Sequence, residues 1–216
     1  TKACRVRSPL RNNWEVAVSK PLDVLLITPP SRVQVYQELS RDFAAIEPPV
    51  WSGLIATFLR QHSCSVAILD AEAEGLNHQQ TADRIAAIAP RLAVFVIYGQ
   101  QPSASTQCMP AGRKVCEILT TLADIPTLVM GTHPSALPKR TLLEEPYTYV
   151  CQGEGPATIL GLVIALRAPQ HSLREVPGLW HMEKGVPVGN APAQPLTNLD
   201  REVPGQAWDL LDMTRY

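Results

Sequence analysis

The stretch DVLLITPPS, residues 23–31, decides the fold. The run Asp23-Val-Leu-Leu-Ile27 has the length of one strand and leads into Thr28-Pro29-Pro30, which ends it. A strand without polar alternation is typical of a parallel sheet covered by helices on both faces, because neither face meets water. The stretch therefore predicts a buried parallel strand followed by a proline-rich turn.

The same texture recurs along the chain and alternates with helical patterns. Further strands are predicted at residues 65–69, 92–98, 127–130 and 147–151. Helices are predicted after Pro48-Pro49, from Asn77 to Ala89, from Ser103 or Ser105 onward, near 139–144 and over 157–167, with one polar helical turn between Ser31 and Glu47. Strand and helix alternate five times, which predicts an α/β fold with a five-stranded parallel sheet and helices on both faces.

The chain divides into four predicted segments. Residues 1–21 form a polar leader, and residues 22–169 form the α/β domain. Residues 170–194 contain a small hairpin that turns at Lys184-Gly185, and residues 195–216 form a connecting linker.

Composition excludes several classes of protein. The 216 residues carry a net charge of −1, without the basic stripe of a nucleic-acid-binding protein. No apolar run approaches the roughly 20 residues that span a bilayer, and no signal peptide is visible. The five cysteines lack CxxC spacing, which argues against disulfides and zinc and favours a reducing cytoplasm. Cys64 and Cys151 are expected to be small core residues.

The candidate ligand site follows from the sheet. In open α/β sheets, ligands bind beyond the carboxyl ends of the strands. Glycine or another small residue recurs in the turns at these ends, where it lets a ligand approach the backbone. The site residues predicted in this way are Thr28, Pro30, Ser31, Tyr98, Gly99, Gln100, Gln101, Gly131, Thr132, His133, Gln152, Gly153, Glu154 and Gly155.

The turns do not carry the motifs of other proteins that are built on such sheets. A response-regulator receiver needs acidic residues after the first and third strands, where this chain has Thr28-Pro29 and Tyr98-Gly99. The P-loop pattern is absent, and Gly153-Glu154-Gly155 matches a dinucleotide fingerprint only weakly because Thr158 replaces its third glycine. No hydrolase constellation is evident, and no catalytic residue or protein metal ligand is predicted.

The motifs in order resemble the N-terminal cobalamin-binding, Rossmann-like (flavodoxin-like) domain of B12-dependent radical SAM enzymes. The resemblance rests on DVLLITPPS (23–31), EPPVWSGLIATFLRQHSCSVAILDAE (47–72), VMGTHPSALPKRTLLEEPYTYVCQGEG (129–155) and PLTNLDREVPGQAWDLLDMTRY (195–216). The last stretch is similar to the connector that leads into the radical SAM barrel. These pieces cover most of residues 22–216.

The resemblance implies that cobalamin lies over the carboxyl ends of the strands, with its nucleotide tail held by the turns at 98–101, 131–134 and 152–155. The first turn lacks the His that binds cobalt in the methionine-synthase type of domain, which implies base-off cobalamin with no His ligand from this loop. Thr132 stands where the family has a second glycine, so tail packing is expected to differ.

The CxxxCxxC motif that holds a radical SAM cluster is absent. We therefore expect the chain to be a fragment of a methyltransferase-like B12-dependent radical SAM enzyme, which catalyses methyl transfer or a related radical reaction. Its partner would be the radical SAM domain of the parent protein, with a 4Fe–4S cluster and S-adenosylmethionine as further cofactors. Two alternatives stay open: a regulatory or carrier module that binds cobalamin or another nucleotide-tailed ligand without catalysis, and a scaffold that has lost the cofactor.

Overall fold

The structure, a computed structural model, describes residues 21–40, 44–99, 104–168 and 170–216. The strands are β1 (Val24–Thr28), β2 (Val66–Asp70), β3 (Leu92–Val96), β4 (Thr127–Met130), β5 (Tyr149–Cys151), β6 (Leu179–Glu183) and β7 (Val186–Gly189). The helices are α1 (Arg32–Tyr36), α2 (Val50–Gln61), α3 (His78–Ile88), α4 (Ala104–Leu122), α5 (Thr132–Ala136), α6 (Pro138–Glu144), α7 (Pro156–Arg167) and α8 (Leu199–Glu202).

All seven strands belong to one sheet, in the order β2-β1-β3-β4-β5-β6-β7. Strands β1 to β5 are parallel, as predicted, and the strand order reverses between β1 and β3. The predicted hairpin forms as β6 and β7, and it continues the same sheet in antiparallel pairing on β5. The fold is therefore the expected flavodoxin-like arrangement, lengthened by two strands at one edge.

Each face of the sheet has its own core, because successive side chains of a strand point to opposite faces. On one face, Leu26 packs with Ile55 and Leu59 of α2 and with residues of α7. On the other face, Leu25 and Ile27 pack with residues of α3 and α4. The four described cysteines are buried and unpaired, so Cys64 and Cys151 are core residues as expected.

Side-chain hydrogen bonds at Asn77 fix the start of α3, where the sequence predicts a capping residue. Asn77 caps α3 through its side chain, which accepts the backbone N–H of Gln80 at 2.9 Å, while the Gln80 side chain accepts the N–H of Asn77. Helix α4 begins at Ala104 and continues through Pro110.

The segment 195–216 lies against the α/β body. The N–H of Ala207 donates to the carbonyl of Gly53, and Arg60 forms a two-pronged ion pair with Asp209 at 2.8 and 2.9 Å. Along the described residues, no helix combines the length and the apolar character that crossing a bilayer requires.

Candidate functional site

A cavity of about 320 Å³ opens at the carboxyl ends of β1 and β3, where the strand order reverses. This is the place where α/β sheets of this kind bind ligands. Its walls come from the β1–α1 turn, the start of α2 with the residues before it, the end of β2, and the end of β3 with the start of α4. Four predicted site residues line it: Thr28, Ser31, Tyr98 and Gly99.

The β1–α1 turn is held in place by a carboxylate from the end of β2. The backbone N–H of Arg32 donates to the Glu72 carboxylate, and the Arg32 guanidinium donates to the carbonyl of Ser40 at 2.8 Å. Burial raises the pKa of Glu72, against the hydrogen bonds from Arg32 and Ser31 that lower it. This wall of the cavity is therefore fixed to the sheet rather than being a free loop.

An aromatic pair stands at the cavity. The rings of Trp51 and Tyr98 stack with their centroids 4.9 Å apart and their planes 22° apart. Trp51 is 47% exposed, and burial raises the pKa of Tyr98 to about 12, so the phenol stays protonated at neutral pH. The pair offers a flat apolar surface suited to a planar ring.

Two hydroxyl groups of the cavity wall have no partner. Thr28 Oγ1 and Ser52 Oγ are buried and make no hydrogen bond among the described residues, and Ser52 is 0% exposed. Buried hydroxyls in native structures are normally paired with protein or water. Such orphaned groups at the wall of a cavity point to a polar ligand.

The turns after β3 and β4 are tied together by one serine. Ser105 is fully buried, its hydroxyl donates to the carbonyl of Ile97 at 2.6 Å, and it accepts the N–H of His133 at 3.1 Å. The His133 ring is hydrogen bonded to Thr106 Oγ1 at 2.9 Å. His133 is thus hydrogen bonded through both its backbone and its ring, and it lines a second cavity, between α4 and α6, rather than the first.

The glycines of the predicted site fall into two kinds. A side chain on Gly131 would place its Cβ 2.0 Å from the carbonyl oxygen of Ile97, and one on Gly155 would meet the side chain of Met130 at 2.5 Å. Gly153 has φ +108° and nothing within 4 Å of where its Cβ would lie. Packing therefore explains Gly131 and Gly155, whereas Gly153 leaves space that a ligand can use.

The turn after β5 uses its polar side chains within the chain. Gln152 Oε1 accepts the indole N–H of Trp180 at 2.8 Å, and Glu154 Oε2 accepts the N–H of Leu196 at 3.1 Å. The N–H of Gly153 donates to Ser135 at 2.9 Å. This turn, together with the β4 turn at Gly131 and Thr132, lies at the same sheet edge but outside the lining of the first cavity.

Three further predicted residues do not belong to the described lining of the cavity. Pro30 lies in the β1 turn and does not line the cavity, while Gln100 and Gln101 lie outside the described residues. The sequence reasoning missed Trp51, Ser52, Asp70 and Glu72, all of which line the cavity. The Pro48-Pro49 helix start gave the position of α2 but carried no signal that its first turn faces the crevice. Within the described residues, no group of three or more His, Cys, Asp or Glu side chains is placed to hold a metal ion.

Comparison with known proteins assigns the chain to a family. The family model described as "B12 binding domain" matches residues 39–163, more than half of the chain. An uncharacterized methyltransferase of Pyrococcus horikoshii is 29% identical over 199 residues, which cover 91% of this chain and 40% of that protein.

Two solved structures share the fold. The radical S-adenosylmethionine methyltransferase TsrM from Kitasatospora setae, with cobalamin and a 4Fe–4S cluster bound, matches with a TM-score of 0.62 and 19% identity, over 82% of this chain and 30% of TsrM. The cobalamin-dependent S-adenosylmethionine radical enzyme OxsB, with aqua-cobalamin and S-adenosylmethionine bound, matches with a TM-score of 0.66 and 18% identity, over 88% of this chain and 25% of OxsB. The chain thus spans two fifths or less of the length of these relatives.

Proposed function

Because this chain belongs to the B12-binding domain family, we propose that it is the cobalamin-binding module of a B12-dependent radical SAM enzyme that catalyses methyl transfer or a related radical reaction. The observation that carries the proposal is the cavity at the reversal of strand order, with its unpaired Thr28 and Ser52 hydroxyls. A soluble ligand with a polar, nucleotide-like end fits such a cavity.

The chain's own residues suggest how the cofactor would be held. A cavity of about 320 Å³ is at the lower end of the ~300–1,000 Å³ of ligand pockets. It suits the nucleotide tail rather than the corrin ring, which would lie above the sheet edge. Trp51 and Tyr98 would pack on the tail base, and the open space at Gly153 would let a corrin amide approach the backbone.

We propose a base-off form of the cofactor, because a lower base held in the cavity would be withdrawn from cobalt. The β1 turn supplies no histidine to replace it. It reads Thr28-Pro-Pro-Ser-Arg-Val33 and contains no imidazole that could bind cobalt from below. When bound, cobalamin would supply a cobalt centre that carries a methyl group or takes up another redox state. The chain's contribution would be to bind the tail, to orient the corrin and to hold the β1 turn rigid through Glu72.

The parent protein is part of the same proposal. TsrM and OxsB combine such a domain with radical SAM chemistry, so we propose a radical SAM domain with a 4Fe–4S cluster and S-adenosylmethionine as the partner of this module. A cytoplasmic location is proposed with it, supported by the four cysteines of the described residues, which are unpaired. Reading the gene beyond Tyr216 tests this part: a CxxxCxxC motif is expected, and its absence would favour a regulatory or carrier module.

Cofactor binding is tested by anaerobic titration with hydroxocobalamin, followed by gel filtration and UV–visible spectra of the protein fraction. Retained corrin with a base-off spectrum is the expected result. Two tryptophans provide a matched pair of variants, because Trp51 is 47% and Trp208 is 43% exposed but only Trp51 lines the cavity. Trp51→Ala should weaken corrin retention and Trp208→Ala should not; corrin that elutes entirely free from the unmodified chain contradicts the proposal.

A further inference from the structure

Among the described residues that line the first cavity, the hydroxyls of Thr28 and Ser52 are buried without a hydrogen-bond partner, and so is the Nε of Arg32. The carboxylates next to them are already engaged: Asp70 accepts the phenol of Tyr216 at 2.7 Å, and Glu72 accepts the N–H of Arg32. By contrast, Thr28 Oγ1 and Ser52 Oγ neither donate nor accept within the described chain. Each hydroxyl can donate one hydrogen bond and accept others.

A ligand that fills the cavity displaces any water from these hydroxyls and must replace the hydrogen bonds it removes. The stacked rings of Trp51 and Tyr98 favour a flat heteroaromatic group as the occupant. A ligand that satisfies both features of the cavity is therefore a flat group with hydrogen-bonding atoms at its edge.

The lower bases of corrinoids differ in this respect. Dimethylbenzimidazole, once released from cobalt, presents one ring nitrogen and two methyl groups. A purine base such as adenine presents several ring nitrogens that accept and an exocyclic amine that donates. Buried methyl groups would leave at least one of the two hydroxyls unpaired, whereas adenine can pair both.

We propose that the cavity selects corrinoids by their lower base and prefers adenine to dimethylbenzimidazole, with Ser52 and Thr28 as the specificity-determining residues. This inference rests on the proposed cobalamin-binding function and names the form of the cofactor. Sites that hydrogen bond a ligand discriminate strongly against analogues that lack the matching polar group, because the site's own buried groups are then left unpaired.

The test measures the binding of three corrinoids to the chain under the same anaerobic conditions. They are cobinamide, which has no nucleotide tail, cobalamin, and the cobamide that carries adenine as its lower base. Dissociation constants are measured by calorimetry. We expect the adenine form to bind about tenfold more tightly than cobalamin, and both to bind more tightly than cobinamide.

Ser52→Ala keeps nearly the same side-chain volume and removes the hydroxyl. It should weaken binding of the adenine form by about tenfold and leave cobinamide unchanged. Without ligand it should unfold at the same or a higher urea concentration, because it removes an unpaired buried group. Ser172→Ala, at a serine outside the cavity, is the control and should leave all three constants unchanged.

The outcomes separate this inference from the proposed function. If no corrinoid binds, the proposed function is overturned and the selectivity with it. If the three bind equally, or if cobalamin binds more tightly than the adenine form, the chain is a corrinoid-binding module but the selectivity is refuted. A preference for adenine that survives in both Ser52→Ala and Thr28→Val would also refute the assignment to these residues.

Discussion

Gly131 provides the sharpest test of how the sheet edge is built. Its backbone has φ 145° and ψ 179°, a region that only glycine populates readily. In Gly131→Ala the added Cβ would lie 2.0 Å from the carbonyl oxygen of Ile97 and 3.0 Å from Ser105 Oγ. Backbone on one side and a bonded hydroxyl on the other leave no flexible group that could move aside.

The stability of Gly131→Ala is therefore lowered by two additive effects, one on the backbone and one on packing. The unfavourable backbone conformation costs about 1–3 kcal/mol, and forcing an extra carbon into packed structure costs a further ~1–3 kcal/mol. We expect Gly131→Ala to lower the free energy of unfolding by about 2–6 kcal/mol, a large share of the ~5–15 kcal/mol typical of a domain. Gly153→Ala, at φ +108° with nothing within 4 Å, should cost only the conformational part of about 1–3 kcal/mol.

Urea unfolding of the ligand-free chain, followed by circular dichroism, measures the difference. With a slope near ~2 kcal/mol per molar urea, the midpoint of Gly131→Ala should fall by about 1–3 M. Gly205→Ala is the control, since its added carbon meets nothing within 4 Å and its φ is not in the left-handed region. If Gly131→Ala lost no more stability than Gly153→Ala, the packing explanation of Gly131 would be wrong.

Three further substitutions test other contacts. Burial favours the neutral form of Asp23, but the hydrogen bonds from Arg167 and Ser65 outweigh it and hold the pKa of Asp23 well below its ordinary value. Asp23→Asn should therefore lower the free energy of unfolding by about 1–3 kcal/mol at pH 7. In urea unfolding measured against pH, only the unmodified chain should lose this contribution as the pH falls below about 4. Tyr216→Phe leaves Asp70 without its phenol partner and should speed amide hydrogen exchange over 207–216, whereas unchanged exchange would show that this bond does not hold the segment. Ser105→Ala leaves a buried carbonyl and N–H unpaired and should lower the free energy of unfolding by about 1–3 kcal/mol in the same urea assay; no loss would mean that the two turns are held by other contacts.

The sequence predicted the sheet well because its strands are short apolar runs with clear ends. Strand β4 matches its prediction, and β1 and β2 are displaced by one residue at each end. Strand β5 is shorter than predicted, because the apolar pattern of residues 147–151 includes Tyr147, which lies before the strand. The Tyr147 side chain is buried against Phe95, with ring centroids 5.3 Å apart, so its apolar signal came from packing rather than from strand pairing.

The site was predictable only as far as strand ends mark it. Thr28, Ser31, Tyr98 and Gly99 lie at or just beyond the carboxyl ends of β1 and β3, which are adjacent in the sheet, so the general position of ligand sites in α/β sheets predicts that they lie together. Ser52 was not predicted as a site residue because it lies on the first turn of α2. Nothing local in the sequence distinguishes a serine that faces a cavity from one that faces solvent.

Glu154, a predicted ligand residue, also has a partner within the chain. Its position in the Gly-Glu-Gly turn makes it a candidate for the cofactor, and one oxygen of its exposed carboxylate accepts the N–H of Leu196 at 3.1 Å. At the other end of the same segment, Tyr216 donates to Asp70, which lines the cavity. The segment that follows the hairpin is thus fastened to the sheet edge at both ends, once beside the open space at Gly153 and once in the wall of the cavity. A corrinoid that moves Glu154 or Asp70 must therefore also strain their hydrogen bonds to Leu196 and Tyr216. We expect ligand binding in the cavity and the docking of residues 195–216 to be coupled, so that each changes the free energy of the other by the same amount.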